Sequence, residues 1–282
     1  LTHAHEEGTH AVTRSLTGLL AVAVLLLPAS LHAWTPVVHL VVTEKAIETL
    51  PKGLKPFFKS HRLEMPSLAG EPEEDAPAGE GPLRRFAVDR VMPFPFADLP
   101  HREPEFQQKY AERAADVGRL PWLIHEHYAK LVEAFKSGDK QRILAEAETV
   151  SDLVTDLRNP LALTENFDGQ RTGQHGLWVR FSDRLPAGMA NGLKLEPDAA
   201  HLIEDPRGHV FSVMVATYVW LDNLLYLDDL ARRGAAGFGE VYYQALEQRA
   251  GPVLRAQLSA AAGDVGSYWY TAWTAAGRPE LK

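Results

Sequence analysis

Apolar residues recur at helical spacing along most of this chain. From Leu120 onward Leu123, Ile124, Tyr128, Leu131, Val132 and Phe135 follow the period of one helix face. Gly138 predicts the end of that helix, and Asp139 caps the start of another that reaches about Leu157. Ile143, Ala147, Val150, Val154 and Leu157 line one side of it. Upstream, Thr35 supplies a capping hydroxyl, Pro36 takes the first helical position, and the helix stops at Pro51. Downstream, Asp205-Pro206 opens a long helix through roughly Arg233. Another follows from Glu240 to about Ala262, and a short aromatic one covers Tyr268 to Ala275. Alternation with a period of two is nearly absent. The fold class is therefore all-α, a single multi-helix domain without internal repeats.

Two stretches fall outside this pattern. Residues 70–82 are acidic and rich in proline and glycine, which predicts an irregular loop. Phe94-Pro-Phe96, between Pro93 and Pro100, predicts extended backbone whose aromatics anchor a loop. An exposed apolar patch there would instead mark a lipid-surface binding protein.

The first 33 residues read as a signal peptide. Arg14 gives a weak positive flank, Leu19–Leu27 is the apolar run, Pro28 breaks it, and Ala33 supplies a small residue for cleavage. The run is too short to span a bilayer comfortably, so cleavage is favoured over anchoring. Residues 34–282 then form the helical domain, exported to a periplasm or outside the cell, with no transmembrane span once the leader is removed. Cysteine is absent, so neither disulfides nor thiolate metal ligands exist, and any metal falls to His, Asp, Glu or a chain terminus. Acidic residues outnumber basic ones by 37 to 29 for a net charge of -8, which disfavours nucleic acid as a partner. Nothing in the sequence decides the oligomeric state.

Few residues combine into chemistry. Trp34 would carry a free α-amine after cleavage, and His39 lies just over one turn beyond it. Asp152 and Asp156 stand four residues apart on one helix, where they repel unless a cation or base lies between them. Ordinary readings compete: core packing for Trp34 and His39, and a solvated face eased by Arg158 for the two aspartates. His125 and His127 point apart on a helix and read as structural or surface residues. The aromatics Tyr268, Trp269, Tyr270 and Trp273 read as core.

In order and spacing, a set of segments resembles the zinc-dependent phospholipase C and S1/P1 nuclease family across most of residues 34–282. They include Trp34 with His39, Leu120-Pro-Trp122, Leu131–Asp139, Asp156, Pro160-Leu161, Asn166 with Asp168-Gly169, Arg180-Phe181 and Tyr270–Pro279. The resemblance implies an exported all-helical fold with three zinc ions held by His, Asp, Glu and the mature N-terminal Trp. Trp34, His39 and Asp156 match ligand positions, and Asp152 stands where the family has a His. Ala162, Trp178 and Ser182 replace further ligands, and Arg84 or Arg85 replaces an upstream His. Glu71 and Asp75 both stand near the family's loop Asp.

The resemblance therefore implies a phosphodiester-hydrolase scaffold with a degraded trinuclear zinc site, inactive or weakly active. Trp34, His39, Asp152 and Asp156 are its metal residues, and fewer than three zinc ions remain, down to one or none. A phospholipid or other phosphodiester is the implied ligand. The alternative is an active metal-dependent phosphoric ester hydrolase, with Asp152 and Asp156 positioning a metal-bound water and His175, Asp183 or Glu165 recruited to rebuild the site.

Overall fold

A computed structural model describes residues 33–65, 84–114, 116–189 and 192–281. Most of the signal-peptide segment, the acidic loop and the acids Glu71 and Asp75 lie outside the described residues. The described residues belong to one compact unit, Leu31–Lys282. Among them there are helices and irregular segments but no strand, so the all-helical expectation holds.

Helix α1 spans Pro36–Thr49. Its entry is fixed by Pro36 and by the Thr35 carbonyl, which accepts from the N–H groups of Val38 and His39. The Thr35 hydroxyl makes no cap, contrary to expectation. Helix α2 (Lys55–His61) and helix α3 (Glu103–Tyr110) are short. Helix α4 (Leu120–Ser137) ends at Gly138, whose φ of 69° is the left-handed conformation glycine adopts most cheaply. Asp139 then caps helix α5 (Lys140–Leu157) by accepting from the Arg142 N–H.

The chain continues through α6 (Leu177–Val179), a π-helical turn over Arg180–Arg184 and α7 (Leu185–Gly188). Helices α8 (Pro206–Tyr218) and α9 (Leu221–Arg233) occupy the stretch expected to be one helix. The break falls at Val219-Trp220, where the Trp220 N–H turns back tightly to the Thr217 carbonyl. By length and composition alone, Pro206–Arg233 is apolar enough to cross a membrane. It is folded as two helices whose buried sides pack on α4 and on α10, the helix described next.

Helix α10 runs unbroken over Glu240–Ala275, where the sequence predicts two helices separated near Gly263 and Gly266. Tertiary packing overrides the glycines: a Cβ on Gly266 would lie 2.0 Å from Thr49 Oγ1, so glycine lets α10 press against α1. Trp269 donates its indole N–H to the Ala147 carbonyl of α5, and its ring stacks on Phe58 at 4.5 Å. Tyr268 and Trp269 are thus core residues, as expected. One further segment lies extended along α10. Ser259, Ser267 and Thr271 present their hydroxyl oxygens to the N–H groups of Glu196, His201 and Ile203. Those contacts replace the pairing a strand would need.

Near the other end of α8, Phe96 is buried and packs edge-on against Tyr218, while Phe94 stacks on the same ring half in solvent. Phe96 is the loop anchor; Phe94 is not buried.

Candidate functional site

Helix α5 is packed on two sides, by α4 on one and by α1 with α10 on the other. The aspartates therefore do not form a solvated face. Asp156 is fully buried and Asp152 is partly exposed. Glu148, one turn before Asp152, is buried on the same side, so three carboxylates climb one face of α5. Arg158 plays no part in easing them; its Nε donates to Asp264 Oδ2 at 2.8 Å.

Opposite these acids, α1 presents His39 and, one turn on, Thr43. His39 Nδ1 lies 3.2 Å from Asp152 Oδ1, and Nε2 lies 3.2 Å from Asp156 Oδ1. The Thr43 and Ser151 hydroxyls bond each other at 2.7 Å. A third element closes the cluster: Arg84 Nε donates to Asp156 Oδ2 at 2.9 Å, and its NH2 nitrogen lies 3.8 Å from Asp152 Oδ2. The second distance is an ion pair without a hydrogen bond. Asp152 and Arg84 form the edge that meets solvent, and Asp156 does not.

Burial opposes charging the imidazole, and Arg84 adds to that. The charges of Asp156 and Asp152, with the hydrogen bond that the imidazole donates to Asp156, outweigh both and raise the His39 pKa. For Glu148 burial comes first and the Asp152 charge adds to it, pushing its carboxyl up to about 8. Glu148 is accordingly protonated at neutral pH. Its Oε2 has no hydrogen-bond partner.

The expected metal residues thus converge, but as a bridge. A zinc ion needs three or four donors aimed at one point. The two His39 nitrogens point away from each other, one to each carboxylate, and one imidazole cannot turn both on one ion. Trp34 offers its indole N–H, which is no ligand and which donates to the Thr155 carbonyl at 3.0 Å. In the uncleaved chain the Ala33 carbonyl accepts from Asn159 at 2.7 Å, a contact that cleavage before Trp34 would remove as it frees the α-amine. Arg84 occupies Asp156 Oδ2, where a cation would sit. As arranged, these residues do not fit a shared zinc ion. Among the described residues no three His, Asp or Glu side chains are grouped to hold a metal.

The other substituted positions have their own partners. Ser182 Oγ accepts from Asn159 Nδ2 at 2.9 Å, and the Ala162 carbonyl accepts from the Phe86 N–H at 2.8 Å. Trp178 packs edge-on against Phe167, over which Arg85 lies at 3.7 Å. Glu165 is paired with Arg171, and His175 is exposed. Arg180 is buried against Asp228 and Tyr242, a structural network that the Arg180-Phe181 pair does not foretell.

Glu148 and Arg84 are the cluster members that sequence reasoning missed or left ambiguous. The signal for Glu148 was its spacing, one turn before Asp152 and two before Asp156. No protein-family model matches the chain, and no curated protein matches it significantly.

Proposed function

We propose that this chain is an exported helical protein on the phospholipase C/P1 nuclease scaffold whose metal centre has given way to a fixed ion-pair cluster. It hydrolyses phosphodiesters feebly or not at all. The observation that carries this reading is Arg84. Its guanidinium supplies, beside Asp156 and Asp152, the positive charge that a metal supplies in an active hydrolase.

A guanidinium balances carboxylate charge but cannot act as a Lewis acid on a phosphoryl oxygen or acidify a bound water. His39 is held between two acids and Asp156 is shut away from solvent, so neither is placed to meet a bulky diester. A zinc-binding hydrolase would need Arg84 to swing out and His39 to release one carboxylate.

The test is zinc per molecule, by elemental mass spectrometry on chain purified without chelator, with hydrolysis of an activated phosphodiester measured on the same sample. The expected result is zinc well below one per chain and no chelator-sensitive turnover. Two or more ions with turnover abolished by chelator would overturn the reading. A single ion lost in His39→Ala would also overturn it, because a working remnant site would have survived.

A further inference from the structure

Arg84 and Arg85 are neighbours with opposite circumstances. Arg84 meets two carboxylates. Arg85 meets two aromatic rings and, among the described residues, no acid: its guanidinium lies 3.7 Å from the Phe167 centroid and 5.9 Å from that of Trp178. Those rings stand edge-on to each other with centroids 5.8 Å apart, forming a corner around the charge.

The acids flanking the corner are committed elsewhere. Asp168 accepts from the backbone N–H groups of Gly176 and Trp178. Glu165 is paired with Arg171. Asp89 accepts from the Thr164 hydroxyl, the Glu165 N–H and the Tyr218 hydroxyl. Burial alone draws the Arg85 guanidinium down to about 10, with no acid offsetting the cost.

A half-buried, unpaired guanidinium is costly to maintain. The ring face beneath it offsets only part of that cost. Its N–H donors nevertheless remain in contact with solvent, since none of its nitrogens is among the enclosed atoms without partners. Its backbone is pinned as well: the Arg85 carbonyl accepts from Leu120, and the next residue, Phe86, donates to Ala162. The side chain is thus held in place, charged, open on one side and without a counter-ion among the described residues.

We propose that Arg85, seated on Phe167 beside Trp178, is the receptor of an oxyanion-binding site. Its ligand carries a phosphate or carboxylate group, which the planar guanidinium fork grips through two parallel N–H bonds. The site stands independently of the scaffold reading, since it uses neither a metal nor any residue of the Asp152/Asp156 cluster.

The full chain, kept in chelator so that no metal binds the anion, is titrated with inorganic phosphate and separately with acetate. Trp178 reports through intrinsic fluorescence, and calorimetry gives the affinity. Saturable binding in the millimolar range or tighter is expected for at least one anion, and the stronger of the two identifies the ligand group. Arg85→Gln should weaken it by at least about tenfold, and Arg85→Lys by less, because a point charge keeps the attraction but loses the fork. Phenylglyoxal labelling mapped by peptide mass spectrometry needs no variant, and the bound anion should shield Arg85 from it. Failure of both anions to saturate, wild-type affinity in a folded Arg85→Gln chain, or undiminished labelling of Arg85 would each overturn the proposal. Zinc content bears on the scaffold reading alone.

Discussion

Arg84 Nε donates to Asp156 Oδ2 across 2.9 Å, and Asp156 is closed off from solvent. Removing Arg84 leaves the buried Asp156 charge with His39, 3.2 Å away, as its cationic partner. Arg84→Gln should therefore destabilise the fold by about 1.5–3 kcal/mol, the worth of a hydrogen bond to a charged group, read from urea denaturation at neutral pH. Pairing it with Asp156→Asn should recover much of the loss, because the charge that needed a partner is gone. A single-variant loss below about 1 kcal/mol would mean that the pair is a surface contact.

Stability should fall as pH rises toward 8. Glu148 has an ordinary value of 4.5 and stands at about 8 in the fold, so between those values the folded chain holds more protons than the unfolded one. His39 acts in the same direction: its contribution is complete below 6.5 and is lost as pH rises through its raised folded value. Glu148→Gln should flatten the decline and raise stability at about pH 8 by about 1–3 kcal/mol. Chemical denaturation across that range measures both, and an unchanged slope in the variant would count against the buried acid.

Gly266→Ala tests the seam between α10 and α1. Helix propensity alone favours alanine by about 1 kcal/mol. The new Cβ would meet Thr49 Oγ1 at 2.0 Å, Ala200 Cβ at 3.3 Å and the Ala46 carbonyl at 3.3 Å, so overpacking should win. A net loss of about 1–3 kcal/mol by thermal or urea unfolding is expected. Thr49→Ala in the same chain should restore part of it by removing the nearest atom.

Asp228→Asn examines the second buried ion pair. Asp228 accepts from Arg180, Tyr242 and Gln174, and it is fully buried. Neutralising it should cost about 3–5 kcal/mol, because Arg180 is left charged in the interior. That loss, unlike the effect of Arg85→Gln, should come without any change in anion binding.

Much of the helical skeleton was legible because local signals and packing agree. Gly138 and Asp139 end α4 and cap α5 at the residues the pattern selects. The pattern failed where long-range contacts decide. Gly263 and Gly266 look like breaks, yet they lie where α10 is held against its neighbours, and the helix continues. The site divides in the same way. One-turn spacing made Asp152 and Asp156 readable as acids on one face, while the family resemblance, and no spacing, set His39 beside them. The reading of Arg158 as their partner failed because Asp264, more than a hundred residues away, takes it instead. Arg84 joins from beyond the acidic loop, and no local periodicity could assign it to Asp156 rather than to solvent.

Arg84 lies in a turn and Arg85 opens the irregular stretch into Phe86, and the two side chains reach different surroundings. One dipeptide therefore serves two compartments, sealing an acidic interior with its first residue and facing an aromatic corner with the second. A shift of one residue in how this segment docks would carry Arg85 to the carboxylates and leave the aromatic corner without its guanidinium.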